Sequence, residues 1–296
     1  MKPTKIKIFV LAIVLIMLLT ATACAIDASP GSTSPPPPIT GQVEIDASQS
    51  STSPPTPITE QVEIDLSERD ITDAQLTQIV ASGEIPANVT SLNLRGNQIS
   101  DITPLSGLTN LSKLNLAINQ INDITPLSEL TNLSWLDLAV NRINDITPLS
   151  ELTNLTALWL INNPISDITP LSELTSLTDL HLFGNQISDI TPLSELTNLT
   201  ALWLINNPIS DITPLSELTN LTVLLLSNNQ VSDISPLSGL INLEILLVGE
   251  NPISDLTPLH GLTNLTQLGV QLIPLSPQQR DSLRAALPNC EIVFEH

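Results

Sequence analysis

The sequence predicts an α/β solenoid, in which short strands stack into one parallel sheet and a tight turn follows each strand. Asparagine and aspartate recur every 22 residues, from Asn97 to Asn251 and from Asp101 to Asp255. Apolar and polar residues alternate within each repeat, as expected for a strand with one buried face. A Thr-Pro pair such as Thr125–Pro126 then predicts a short helical or 3₁₀ turn, with Thr as N-cap and Pro at the first helical position. Because 22 residues cannot enclose a core alone, neighbouring repeats must stack.

The repeat follows a fixed pattern of apolar residues around one asparagine. In one copy these residues are Leu111, Leu114, Leu116, Asn119, Ile121, Ile124, Leu127 and Leu130. This spacing is the leucine-rich repeat signature. It occurs in eight clean copies and a ninth, degenerate copy over residues 86–273. The phrases Leu-Thr-Asn-Leu and Ile-Ser-Asp-Ile-Thr-Pro-Leu-Ser resemble the 22-residue subclass of bacterial internalin-like surface proteins. The resemblance implies a right-handed arc with a parallel concave β-sheet and short 3₁₀ or helical turns on the convex side.

Both ends of the repeat array carry the sequence signals of a cap. Residues 72–75 form a capping box, which predicts a helix over 73–81 within an N-terminal cap at 66–85. Residues 276–279 form a second capping box, which predicts a helix over 277–286 within a C-terminal cap at 274–296. Residues 291–294 are predicted to form a last edge strand. Cys290 is predicted to be a small buried packing residue.

The N-terminal residues predict export and a tether. Residues 1–23 combine a basic start with a twelve-residue apolar run, as in a signal peptide. The small residues before Cys24 resemble a bacterial lipobox, which implies lipidation of Cys24 and a cell-envelope, extracytoplasmic location. Ordinary cleavage, giving a secreted protein, and an uncleaved anchor stay open. Residues 24–65 are rich in Pro, Ser and Thr and are predicted to be a disordered tether, or alternatively a proline-rich ligand.

Composition excludes several functions. Acidic residues outnumber basic ones by 30 to 9, for a formal charge of −21, so nucleic acid is not an expected partner. For the same reason, membrane contact is expected only through the lipid at Cys24. Two cysteines exclude a disulfide framework and a cysteine-rich zinc site. No catalytic or cofactor-binding motif is present, so we expect no enzyme, no cofactor and no resident metal.

Two columns of repeated polar residues predict structural roles. The asparagine at each bend can donate to and accept from the backbone around it. The aspartate column is predicted to accept backbone N–H groups before Thr-Pro, with calcium binding along the acidic edge as the alternative. The phrase Asn-Leu-Ser/Thr, as at Asn110, Asn132 and Asn154, is interpreted as a coincidental product of the repeat rather than a glycosylation site.

The residues between the framework leucines predict a binding surface on the concave face. All three tryptophans and the one phenylalanine of the repeats lie there instead of in the core. The predicted partner-binding residues are Trp135, Trp159, Ile161, His181, Phe183, Trp203, Ile205 and Leu225. A contiguous exposed apolar patch of this kind is typical of an interaction site. The alternative is that the rings only shield the sheet.

The function predicted from these features is binding of a protein partner by a membrane-tethered surface protein. A glycan is the alternative ligand, because tryptophan planes stack on sugars and Asn115, Asp137 and Asp179 offer partners for hydroxyl groups. A structural envelope protein with no dedicated ligand is the third possibility. Histidine changes charge close to physiological pH, so His181 is predicted to tune binding with pH.

Overall fold

A computed structural model describes residues 61–295 and contains one sheet of eleven parallel strands in chain order. The strands are β1 Glu63–Asp65, β2 Ser91–Asn93, β3 Lys113–Asn115, β4 Trp135–Asp137, β5 Ala157–Trp159, β6 Asp179–His181, β7 Ala201–Trp203, β8 Val223–Leu225, β9 Ile245–Leu247, β10 Gln267–Gly269 and β11 Glu291–Val293. Equivalent residues pair across neighbouring repeats, as Leu136 pairs with Leu158. This register keeps every central leucine on the core side, and it confirms the predicted leucine-rich repeat solenoid.

A 3₁₀ turn follows each strand from β2 to β9. The turns are Thr103–Leu105, Thr125–Leu127, Thr147–Leu149, Thr169–Leu171, Thr191–Leu193, Thr213–Leu215, Ser235–Gly239 and Thr257–Gly261. The prediction that threonine is the N-cap is wrong by one residue, because Thr125 is the first residue of its turn. The capping role belongs to the aspartate two residues earlier, because Asp123 Oδ1 accepts the Thr125 N–H at 2.8 Å.

Two helices cover the ends of the array, as predicted. Helix α1 spans Asp73–Ser82, and Gly83 ends it in the left-handed conformation at φ 80°. Helix α2 spans Pro277–Ala286. At its start, the Gln279 N–H donates to Ser276 Oγ at 3.2 Å and the Ser276 N–H donates to Gln279 Oε1 at 2.9 Å. These reciprocal bonds satisfy two backbone groups that a helix start leaves open.

The structure changes two predicted boundaries. Strand β1 lies inside the stretch predicted to be tether, and it pairs with β2 over its whole length. The prediction of disorder up to residue 65 is therefore wrong for Glu63–Asp65, because the next repeat offers these residues a pairing edge. Strand β11 ends at Val293, one residue earlier than predicted. The predicted signal peptide, Cys24 and the rest of the tether lie outside the described residues.

The core is one continuous stack of leucine and isoleucine side chains from Leu66 to Leu287. Cys290 is half-buried at the C-terminal end of this core instead of fully buried. Burial raises the pKa of its thiol to about 11, so the thiolate is disfavoured at neutral pH. None of the helices within residues 61–295 is long and apolar enough to cross a membrane.

The predicted asparagine ladder closes the bend of each repeat. Asn163 is buried, its amide group donates to Leu138 O at 3.0 Å and Leu160 O at 3.2 Å, and its Oδ1 accepts the Ile143 N–H at 3.0 Å. One side chain therefore bonds to the backbone of two repeats. Equivalent bonds recur along the array from Asn97 to Asn251.

Candidate partner-binding surface

The concave face is the sheet surface opposite the leucine core, and the strand register arranges its side chains in columns. The column at the third position of strands β2 to β10, called here the central column, changes in residue type along the sheet. It contains Asn93, Asn115, Asp137, Trp159, His181, Trp203, Leu225, Leu247 and Gly269. Each residue is paired with its neighbour across the sheet. Strands in a sheet are about 4.8 Å apart, so flat side chains in one column can stack.

Four rings form a continuous aromatic stack across β4 to β7. Trp135 meets Trp159 edge to face, with ring centroids 5.3 Å apart and an interplanar angle of 72°. His181 lies parallel to Trp159 at 5.0 Å and parallel to Trp203 at 3.8 Å. The aromatic stack therefore consists of Trp135, Trp159, His181 and Trp203, four of the eight residues predicted to bind a partner.

Asp179 lies beside the aromatic stack at the first position of β6. Its Oδ1 is 2.8 Å from Nε2 of His181, and the Trp159 indole N–H donates to its Oδ2 at 3.3 Å. Burial raises the pKa of Asp179, but the His181 ring and the Trp159 N–H outweigh burial, so the pKa lies below its ordinary value. Asp179 is therefore an anion that fixes the orientation of two rings.

Asp137 is the second acid next to the aromatic stack, and it is only 3% exposed. Burial raises the pKa of Asp137, against the opposing effects of the Ala139 N–H, Arg95 and His181. Its Oδ1 accepts the Ala139 N–H at 3.0 Å. The carboxylates that sequence analysis offered to sugar hydroxyl groups are thus already bonded within the protein.

The concave face is less exposed than the sequence predicts. Trp135, Trp159 and Phe183 are partly exposed. The other five predicted contact residues are buried: Ile161, His181, Trp203, Ile205 and Leu225. Leu225 is fully covered, at 0% exposure. The prediction of an exposed apolar patch is therefore wrong for these five, because rings and aliphatic groups stacked at the strand spacing cover one another.

A small second hydrophobic cluster lies next to the aromatic stack. Ala117, Ala139 and Ile161 form it, and Val140 and Phe183 pack against it. These residues are separate from the leucine core, so the concave face has its own packed layer. A surface held in this way presents ring edges in fixed positions.

The aspartate column serves the turns on the convex side. Side-chain and backbone hydrogen bonds from Thr191 hold the pKa of Asp189 below its ordinary value, and Asp167 is held in the same way by Thr169. Neighbouring aspartates act in the opposite direction and raise it. Within residues 61–295, no group of three or more His, Cys, Asp or Glu side chains is arranged to hold a metal ion. The prediction that the aspartates accept hydrogen bonds in the turns is confirmed. These bonds offset the repulsion between neighbouring carboxylates.

Sequence analysis missed a second asparagine ladder, on the convex side. Asn132 donates to Thr109 O at 2.8 Å and Asn154 donates to Thr131 O at 2.8 Å. The same bond to the preceding repeat recurs at Asn110, Asn198, Asn220, Asn242 and Asn264. The period of 22 residues was the available signal for this structural role, whereas the interpretation that the phrase is not a glycosylation site stays a prediction. Ser176 interrupts this ladder.

The residue immediately before each bend asparagine, from Asn97 to Asn251, has a left-handed backbone, which sequence analysis also missed. Glycine and asparagine tolerate this conformation, and they occupy it at Gly184, Asn206 and Asn228. Ile118 has φ 55° at the same place and is 41% exposed. A β-branched residue is strained there, and its exposure gives little compensation.

The described residues match the family of leucine-rich repeats. The match covers residues 87–129, 131–173, 175–217 and 219–277. The chain belongs to the leucine-rich repeat family. A comparison with curated proteins finds no match.

Solved structures add a comparison for this leucine-rich repeat protein. It is similar to the internalin InlF of Listeria monocytogenes, with 34% identity and a TM-score of 0.73, covering 79% of this chain and 67% of that one. It is also similar to internalin C2 of the same bacterium, with 35% identity and a TM-score of 0.61, covering 66% and 92%. A leucine-rich repeat protein of Leptospira interrogans matches with 28% identity and a TM-score of 0.69, covering 79% and 60%.

Proposed function

We propose that this leucine-rich repeat protein binds a protein partner through its concave face, outside the bacterial cytoplasm and tethered to a membrane. The aromatic stack of Trp135, Trp159, His181 and Trp203 is the observation that carries the proposal. The leucine core is complete without it. Tryptophan is enriched among the residues that dominate protein interfaces, and solenoids use extended concave surfaces for binding.

The geometry of the rings favours a protein over a glycan. Trp159 and His181 are nearly parallel, at 8°, as are His181 and Trp203, at 11°. Facing surfaces of these rings are therefore occupied by one another, whereas a sugar needs an open ring face to stack upon. Ring edges and the partly exposed Trp135 and Phe183 suit the side chains of a protein.

Membrane tethering is supported by the sequence before the repeats. A signal-like segment ends at Cys24 and leads into the Pro/Ser/Thr-rich stretch. We expect lipidation of Cys24 to hold the chain in the membrane fraction. A Cys24→Ser variant should move to the soluble fraction of a bacterial host, and retention of this variant in the membrane would contradict a lipid anchor at this residue.

The binding proposal is tested by a paired capture experiment. The immobilised full chain and its Trp159→Ala/Trp203→Ala double variant are exposed to extracts of surface proteins and to a glycan array. Hot-spot tryptophans each contribute about 2 kcal/mol or more, so the double variant should lose capture almost completely. Ile241→Ala is the matched control, because Ile241 is an apolar side chain, 57% exposed, away from the concave columns.

The outcomes of this experiment separate the competing functions. Loss of capture of one protein in the double variant alone supports the proposal. Capture of a glycan by the wild type would replace it with the carbohydrate alternative, and absence of any ligand would favour a structural role. Equal capture by both chains would place the site away from the aromatic stack.

A pH comparison of the same capture tests His181. Asp179 and Asp137 face the ring from β6 and β4, and Trp159 and Trp203 enclose it from β5 and β7. Capture at about pH 5.5 and at about pH 7.5 tests the prediction that His181 tunes binding with pH. Equal capture at the two pH values would contradict this role.

A further inference from the structure

A second feature of the concave face lies over β2 to β4, on the N-terminal side of the aromatic stack. It is an open pocket of about 320 Å³. The polar and aromatic residues that line it are Ser91, Asn93, Lys113, Asn115 and Trp135. The aromatic stack touches this pocket only through Trp135.

The asparagines of the pocket present their donor ends. The Asn115 Oδ1 accepts the Ala117 N–H at 3.0 Å, and the Asn93 Oδ1 accepts the Arg95 N–H at 3.1 Å. With each amide oxygen held by the backbone, each NH₂ group faces away from it. The NH₂ of Asn93 approaches Asp65 on β1. Among the described residues, the NH₂ of Asn115 has no partner.

Two further donors line the same pocket. Lys113 is the single lysine in residues 24–296, it is exposed, and no described residue forms an ion pair with it. Trp159 is the one aromatic ring that Trp135 contacts among the described residues, and no described group accepts the Trp135 indole N–H. Three donors of different types therefore line one pocket without an acceptor from the described part of the chain.

The local charge is unusual for so acidic a protein. The side chain of Arg95 belongs to the neighbouring column and is close enough to influence Asp137. Asp137 itself is buried with Oδ1 bonded to the backbone, and Asp65 on β1 accepts from Ser67 at 2.7 Å. Glu63 on β1 lies two strands away from Lys113. Lys113 is therefore the one charged side chain among the described residues that line the pocket.

We propose that this pocket binds a carboxylate of an acidic segment of the protein partner. The Lys113 ammonium pairs with the carboxylate and the Asn115 NH₂ donates to it. The Trp135 ring packs against the neighbouring part of the same segment. The inference rests on the proposed function, since it specifies the chemistry of the partner at one end of the concave face.

Lys113 allows a direct test with the full chain. A short acetylated and amidated peptide, Gly-Glu-Leu-Glu-Gly, is the probe, and its Gln analogue is the uncharged control. Acylation of Lys113 by an amine reagent is followed by peptide mapping at roughly 0.15 M salt. A lysine-containing reference peptide in the same reaction is the internal control. The Glu peptide should slow acylation of Lys113 about threefold or more, whereas the Gln peptide should leave it unchanged.

The Asn115→Asp variant sharpens the test without threatening the fold. One repeat later in the same column, Asp137 accepts the Ala139 N–H. An aspartate at position 115 can therefore accept the Ala117 N–H in the same way. The substitution turns the free donor into an acceptor, and protection by the Glu peptide should disappear. Asn154→Asp, with the same charge change at an exposed convex position, should retain protection.

The results either support or overturn the carboxylate site. Protection by the Gln peptide with a free C-terminus would also support it and would identify a chain terminus as the source. Equal protection by both amidated peptides, or none by either, would overturn it. This readout does not use capture, so it separates a failed carboxylate site from a failed role of the aromatic stack.

Discussion

The asparagine ladder and the aromatic stack are both columns of side chains from successive repeats, yet they differ in what selects their residues. Each ladder amide bonds to the backbone of two repeats, so the same asparagine is needed every 22 residues. No backbone requirement fixes the identity of a ring in the aromatic stack, and the central column changes from Asn115 to Asp137 to Trp159 in consecutive strands. Repeated residues therefore belong to the scaffold of this protein, and varied residues form its candidate binding surface.

The largest effect on stability is expected where the ladder is broken. Asn163→Ala removes bonds to Leu138 O, Leu160 O and the Ile143 N–H, and leaves these buried groups without a partner. The free energy of unfolding should fall by about 3 kcal/mol or more, measured by urea denaturation. Asn154→Ala is the control, since its single bond is exposed, and it should cost about 1 kcal/mol or less. An equal loss of stability in the two variants would contradict the prediction that burial makes the Asn163 bonds matter more.

A gain in stability is expected when Ile118, which has a strained left-handed backbone, is replaced. Ile118→Asn places at φ 55° a residue that tolerates this conformation, as Asn206 does at the equivalent position four repeats later. The free energy of unfolding should rise by about 1 kcal/mol, because little apolar burial is lost at 41% exposure. The reverse substitution, Asn206→Ile, should lower it. A lower melting temperature for Ile118→Asn would mean that packing of Ile118 outweighs its strain.

A smaller gain is expected where the convex ladder is interrupted. Asn154 and Asn198 each donate to a carbonyl 23 residues earlier, so Ser176→Asn should donate to the carbonyl of Thr153. We expect an increase of about 0.5–1 kcal/mol in the free energy of unfolding. Ser176→Ala separates the new bond from loss of the hydroxyl group and should change little. No gain in the asparagine variant would show that the repeats leave no room for the bond.

The smallest effect concerns the aspartate column and acid. Hydrogen bonds from Thr191 lower the pKa of Asp189 in the folded protein. Its contribution to stability is therefore present above the ordinary value of 3.8 and is lost as the pH falls through the lowered pKa. Asp189→Asn keeps an acceptor for Thr191 without this titration, so its melting temperature should fall less on acidification. Calcium or a chelator should leave the midpoint of both chains unchanged, and a calcium-dependent rise would favour the metal alternative.

Much of the fold was predictable because the repeat makes each local signal occur many times. The period, the alternation around Leu114 and the capping boxes at Thr72 and Ser276 predicted the sheet and both helices. The prediction failed at β1, because three residues in a polar stretch become a strand only when the edge of β2 is there to pair with them. It also failed for the second asparagine ladder, because its acceptors belong to another repeat.

Repetition in the amino-acid sequence was enough to predict the solenoid, the caps, the structural columns and the strands that carry the aromatic residues. A side chain that recurs every 22 residues needs no further information to be placed on one face. Which of the aromatic residues remain exposed depends on how the strands pack together. Ring stacking at the strand spacing buries His181 and Trp203, and Asp179 bonds to two of the rings. The packing of the strands also leaves Lys113 without a counter-ion from the described residues. These are properties of several strands together, and no single repeat encodes them.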